Sequence, residues 1–226
     1  MKKICFMLVA LIASFGVFAQ DVEPKEAIKG EVSPSLSSLR LATDLVKYGY
    51  AQQSALPLID ALQIISENPT QNLSAEIKGE TNAPSTDKKN GKVTLDFAQI
   101  AADAKTFAEG DDVLLGLIAQ IESDAQSAHR GAVNGPRIGN YVVSGNCYND
   151  FECSFTKGYL AEVGVSGDGD TDLDLYVYDS NGNLIAKDTS YSDDCYVNWV
   201  PAWTGRFIIR IVNRGPVYNN YVVATN

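Results

Sequence analysis

Histidine is nearly absent: His129 is the only one among 226 residues. That excludes a histidine-rich metal site and leaves little for a His-dependent catalytic triad. His129 stands beside Arg130 at the tail of a helical pattern, where a cation simply suits the helix dipole. No Gly-x-Ser-x-Gly, His-Glu-x-x-His or phosphate-binding loop occurs. Basic residues are also few, 18 against 28 acidic ones, for a net charge of −10. Nucleic-acid binding needs clustered Lys and Arg, so it is excluded as an expectation. The same balance argues against contact with anionic lipid. The hydrophobic share of 45% and charged share of 20% are those of a globular chain.

Long apolar runs are missing everywhere except at the start. Lys2 and Lys3 precede an apolar stretch from Cys5 to Phe18, and Val17-Phe18-Ala19 offers small residues ahead of Gln20. Residues 1–19 therefore read as a signal peptide, and the run is short for a membrane anchor. The processed chain is expected in the periplasm or outside the cell, with no membrane span. Cleavage removes Cys5 and leaves Cys147, Cys153 and Cys195. In an oxidising compartment two of these three are expected to pair, and the spacing does not choose which.

Residues 20–33 are polar and read as a leader. From Pro34 the apolar positions follow a period of 3.6: Leu36, Leu39, Thr43 and Val46, then Ala55, Leu58, Ile59, Leu62 and Ile65. Gly49 is expected to end or bend the first helix, and Asn68-Pro69 to end the second. Residues 70–92 hold few apolar anchors and read as a mobile inter-helix loop. Two further helical patterns follow. Phe97, Ile100, Ala101, Ala104 and Phe107 mark one; Leu114, Leu117, Ile118, Ile121 and Ala125 mark the other, capped by Asp111 or Asp112. Residues 34–130 are thus expected to form a four-helix α bundle, and 131–139 a linker.

Beyond the linker the period becomes 2. Strand patterns occur at Tyr141–Val143, Tyr159–Val165, Leu173–Tyr178, Leu184–Ala186, Phe207–Val212 and Tyr221–Ala224, separated by Gly, Asn, Asp and Pro turns. Residues 140–226 read as an antiparallel β-sandwich. The fold class is α+β with two domains.

Two features carry chemistry. The first is the acidic turn Gly167-Asp-Gly-Asp-Thr-Asp-Leu-Asp-Leu175. Asp168, Asp170 and Asp172 offer oxygen ligands of the kind Ca²⁺ prefers, with Asp193 or Asp194 reachable from another loop. An EF-hand is rejected, because Leu173 stands where that loop needs glycine and Asp179 where it needs glutamate. A solvated acidic turn is the other reading. Asp174 alternates with Leu173 and Leu175, so it is expected to anchor a neighbouring loop rather than hold metal. The second feature is aromatic. Tyr176 and Tyr178 alternate with apolar residues and should point outward, with Tyr191 close behind in sequence. Exposed rings with polar edges suit contact with sugars or peptides. Trp199 and Trp203 are expected in the core.

Asp172-Leu-Asp-Leu-Tyr-Val-Tyr-Asp-Ser-Asn-Gly-Asn-Leu-Ile-Ala186 resembles the central hairpin of bacterial pre-peptidase C-terminal domains. Trp203-Thr-Gly-Arg-Phe-Ile-Ile-Arg-Ile211 resembles that family's aromatic-x-Gly strand, and Tyr218–Thr225 its last strand. The resemblance covers about residues 137–226. It implies a jelly-roll-like sandwich of the kind attached to secreted proteins, often proteases; some members bind Ca²⁺ and some relatives bind collagen or polysaccharide. No peptidase domain precedes the module in this sequence. The expected function is that of an exported, non-catalytic binding or interaction protein with a protein or polysaccharide partner and calcium as the one candidate cofactor. The alternatives are a helper module for a separate secreted hydrolase and a carboxylate-dependent hydrolase.

Overall fold

A computed structural model describes residues 32–73, 78–79, 91–128 and 135–226. The signal peptide, the leader as far as residue 31, most of 74–90, and residues 129–134, which include His129, lie outside the described residues.

Four helices come first: α1 (Pro34–Gln52), α2 (Ala55–Glu67), α3 (Phe97–Phe107) and α4 (Asp112–Ala128). Proline opens α1, where its missing N–H costs nothing. Gly49 does not end α1. A Cβ at that position would lie 2.6 Å from Leu58 Cδ2, so glycine there lets α2 lie close against α1. The helix stops after Gln52, with Gln53 left-handed at φ 50°. The Asp96 carboxylate accepts from the Gln99 amide at 3.0 Å and caps α3. Asp111 does the same for α4, accepting from Val113 and Leu114.

Among the described residues, ten strands form two five-stranded sheets. Two are two-residue strands from the expected loop at 70–92, β1 (Gln71–Asn72) and β2 (Lys78–Gly79). The others are β3 (Arg137–Val143), β4 (Tyr148–Phe155), β5 (Ala161–Gly167), β6 (Leu173–Asp179), β7 (Leu184–Asp188), β8 (Asp194–Trp199), β9 (Gly205–Asn213) and β10 (Asn219–Thr225). The sheet orders are β1-β3-β10-β5-β8 and β2-β4-β9-β6-β7. The described pairings are antiparallel except β1 with β3, where Gln71 lies beside Arg137. The expected linker at 131–139 therefore runs into β3.

Both sheets feed one apolar core. The first supplies Val143, Val163, Val165, Val197, Trp199 and Val223; the second supplies Phe151, Phe155, Leu175, Val177, Phe207 and Ile209. A second core lies between the helices and the first sheet. There Leu39, Val46, Leu62, Ile100 and Ile118 share a cluster with Ile138, Val222 and Ala224, whose strands are β3 and β10. The helical cluster thus packs on the first sheet, with α1 against β5 and β10. The start of α1 is tied to it as well, because the Ser33 amide donates to Glu162 Oε1 on β5 at 2.9 Å.

The expected disulfide is not present. Cys147, Cys153 and Cys195 are free and buried. Cys147 immediately precedes β4 and Cys153 lies within it, so six extended residues separate them by about 20 Å, far beyond bridging distance. Cys195 is on the other sheet, and its thiol donates to the Leu173 carbonyl at 3.0 Å. Burial raises the Cys153 and Cys195 thiol pKa values above the ordinary range. Trp203 also departs from expectation. It is 40% exposed and stacks on Phe207 at the rim, whereas Trp199 is in the core.

Candidate functional site

The acidic turn follows β5 and is bound up with its neighbours. Asp168 is buried, and its Oδ2 accepts from the Asn220 backbone amide and side chain at 2.8 and 2.7 Å. Its Oδ1 accepts from the Asp170 amide at 3.3 Å. Asp172 Oδ1 accepts from the Ser192 amide at 2.9 Å. Asp194 accepts from the Ser166 hydroxyl, and Asp193 from the Gly169 amide. Between Asp193 and Asp194 stands a cation of the protein's own: Lys47 Nζ on α1, 3.8 Å and 3.4 Å from their carboxylate oxygens. Burial pushes the Asp193 carboxyl up, against the pull of Lys47 and the Gly169 amide. Among the described residues no group of three or more His, Cys, Asp or Glu is placed to hold a metal ion. Asp168 and Asp172 of the turn thus accept from amides, and Asp193 and Asp194 of the facing loop share the one ammonium. Asp174 is 5% exposed and accepts from Arg214 Nε of the β9–β10 loop at 2.5 Å.

The tyrosines are on the outer face of the second sheet. Side chains alternate along β6, so Leu173, Leu175 and Val177 enter the core while Tyr176 and Tyr178 face out, half-buried. Strand register then builds a row across four strands: Asp150 on β4, Arg210 on β9, Tyr176 on β6 and Lys187 on β7. Arg210 makes a two-pronged pair with Asp150, both contacts at 2.7 Å. The same guanidinium lies 4.1 Å from the Tyr148 ring centroid and 5.6 Å from that of Tyr178. Tyr178 stacks on Tyr176 with centroids 6.2 Å apart and planes 16° apart. Tyr148, Arg210, Tyr178 and Tyr176 therefore form a ladder of side chains in contact across this face.

The ladder is held rigidly. The Tyr176 hydroxyl donates to Asp174 at 3.0 Å and accepts from Arg214 at 2.9 Å. Burial and the Asp174 carboxylate raise its pKa, so it stays a phenol at neutral pH. The hydrogen bond to Asp150, outweighing partial burial, keeps Arg210 firmly charged. Lys187 beside Tyr176 has no ion-pair partner among the described residues. Tyr191 is 95% exposed in the β7–β8 loop, outside this ladder. Sequence reading found Tyr176 and Tyr178 from their alternation. It missed Tyr148, Arg210 and Lys187, which reach the same face only through pairing of β4, β9 and β7 with β6.

No family model matches the chain, and no curated protein does. Several solved structures are similar to part of the chain. One is the Yersinia pseudotuberculosis-derived mitogen, 14% identical, covering 42% of this chain and 86% of that one, with a TM-score of 0.36. Another is Aeromonas hydrophila PliG, a periplasmic inhibitor of g-type lysozyme, 10% identical over 40% of this chain and 84% of that one, TM-score 0.33. A third is the pre-peptidase C-terminal domain of collagenase from Bacillus anthracis, 8% identical over 41% of this chain and 89% of that one, TM-score 0.34. No functional conclusion passes from any of them. Among the described residues no helix is long and apolar enough to cross a membrane.

Proposed function

We propose that this chain is an exported, non-catalytic binding protein, a sandwich with a helical cover, that holds an extended partner on the outer face of its second sheet. The observation that carries this reading is the ladder of Tyr148, Arg210, Tyr178 and Tyr176 on a face that no described helix covers. Tyrosine and arginine dominate binding energy at interfaces because they bring large contact area and hydrogen bonds at small entropic cost. Here Asp150 and Asp174 have already fixed their rotamers, so little freedom remains to be lost on binding. Rings in contact with one another and with a guanidinium have part of their faces already occupied. That favours a polypeptide partner over stacking on the face of a sugar ring. Lys187, a cation with no ion-pair partner among the described residues, favours an acidic stretch in that partner.

The test is to immobilise the chain, capture partners from an envelope extract and probe a glycan array in parallel. Tyr178→Ala and Lys187→Glu should each abolish capture of a polypeptide partner, and Lys187→Glu should do so without lowering the melting midpoint. Capture that survives both substitutions, or binding confined to glycans, would overturn the assignment of this face to a polypeptide.

A further inference from the structure

Among the described residues, four of the eleven exposed large hydrophobic side chains lie in two loops at one end of the β region. Tyr159 and Leu160 come from the β4–β5 loop and are 72% and 43% exposed; Val200 and Trp203 come from the β8–β9 loop and are 60% and 40% exposed. The loops are fastened to each other. The Gly158 amide donates to the Pro201 carbonyl at 2.9 Å, and the Lys157 amide donates to the Thr204 hydroxyl at 2.9 Å. Beneath them is a stiff aromatic base. Phe155 and Trp199 meet edge-to-face at 4.8 Å, Trp199 touches Phe207 at 5.6 Å, and Trp203 lies flat on Phe207 at 5.5 Å. The apolar tip is therefore held out into solvent by structure below it, not left exposed by looseness.

Charge distinguishes this end from the rest of the molecule. The chain carries 28 acidic residues, yet none falls between Cys153 and Ala161 or anywhere from Cys195 to Asn226. The charged residues in the two loops and at the start of β9 are Lys157 and Arg206. Lys157 is exposed with no ion-pair partner among the described residues. Arg206 reaches Glu152 at 3.2 Å, but this pair is exposed and weak. Net charge argues against anionic surfaces, but screening confines each charge to about 8 Å at physiological salt, so the composition of the approaching end decides.

We propose that this tip docks on an anionic lipid surface. Trp203 and Tyr159 have the amphipathic rings that settle at the headgroup level, and Leu160 and Val200 supply apolar area for the acyl boundary. Lys157 and Arg206 face the headgroup phosphates. The ladder on the outer face of the second sheet takes no part, so the two sites are independent.

The experiment mixes the full chain with vesicles of phosphatidylglycerol and phosphatidylethanolamine, or of phosphatidylcholine alone. Sedimentation and tryptophan emission are followed. Trp199 is 8% exposed, so an emission change on docking reports Trp203. The expected result is sedimentation with the anionic vesicles and a blue shift that Trp203→Phe removes. Tyr159→Ser combined with Val200→Ser should weaken vesicle partition about tenfold or more, and Lys157→Glu about tenfold. Tyr159 and Val200 are well exposed, so the double variant should keep the wild-type melting midpoint. Any affinity arising from residues 1–31 is common to all these chains and cancels in the comparison. Tyr178→Ala should leave partition unchanged. Equal sedimentation of wild type and tip variants would overturn the proposal. So would a blue shift that follows protein concentration without vesicles, which would make a second copy of the chain the occupant.

Discussion

Asp179 holds the β6–β7 turn through its own carboxylate. Oδ1 accepts from the Asn181 and Asn183 amides, both at 2.8 Å, and Oδ2 accepts from the Asn183 side chain at 2.9 Å. Gly182 supplies the positive φ of 83° that the turn requires. Asp179 is 2% exposed, and burial raises its pKa, but the bonds donated by Asn183, Asn181 and Gly182 outweigh burial and hold it below the ordinary value. A folded pKa below the unfolded one contributes stability that is fully present above about pH 4 and is lost as pH falls through the folded value. Asp179→Ala should therefore cost about 2 kcal/mol at neutral pH, since it strips charged acceptors from buried donors. Urea melts of both chains, repeated from neutral pH down to about pH 3, check this: the wild-type advantage should shrink only on the acid side. The Asp-Ser-Asn-Gly-Asn spelling of this turn was legible in the sequence as a hairpin turn. That one carboxylate would collect three donors was not, because this depends on the turn's three-dimensional path.

At the scale of elements, alternation and periodicity were readable where they were regular. All four helices stand where a period of 3.6 placed apolar residues, and β6 faces as its alternation required. Strands β4 and β8 escaped notice, although Phe151, Cys153 and Phe155 alternate inward along β4. Their cysteines and polar partners hid the pattern. Pairing between elements is a different kind of information: β9 joins β4 to β6 over a long sequence separation, and only that pairing sets Arg210 between Tyr148 and Tyr178. The contact between α1 and β5 is less complete. Gly164 on β5 borders a small apolar cavity with Leu36, Leu39 and Leu95, and a Cβ built there meets nothing within 4 Å. Its φ lies outside the left-handed region, so alanine fits without strain. Gly164→Ala should raise stability by about 0.5–1 kcal/mol, by restricting the unfolded chain and filling part of the void. Chemical denaturation should show a higher midpoint at an unchanged slope.

Taken whole, the molecule joins its helices and sheets through a shared core. Ile138, Val222 and Ala224 are buried against Leu39, Val46 and Ile100, and Lys47 of α1 reaches Asp193 and Asp194 beside β8. The chain should unfold in one calorimetric transition with equal calorimetric and van't Hoff enthalpies. A fragment starting at Gly135 should melt lower or aggregate, since removing the helices exposes the apolar back of the first sheet. Two separate transitions would show that the helical and β regions are independent.

By itself the sequence determined the local matters: helix and strand periods, capping aspartates, turn chemistry, and the outward direction of Tyr176 and Tyr178. These depend on backbone geometry over a few residues, which composition and spacing encode directly. The tertiary structure alone decided the rest. It set Asp168 and Asp172 against backbone amides and Lys47 against Asp193 and Asp194, kept three cysteines apart, laid α1 on the first sheet, and assembled both proposed contact surfaces from residues distant in the chain. Each of those outcomes depends on which strands pair and in what register, a choice settled by burying both sheets at once rather than by any one segment.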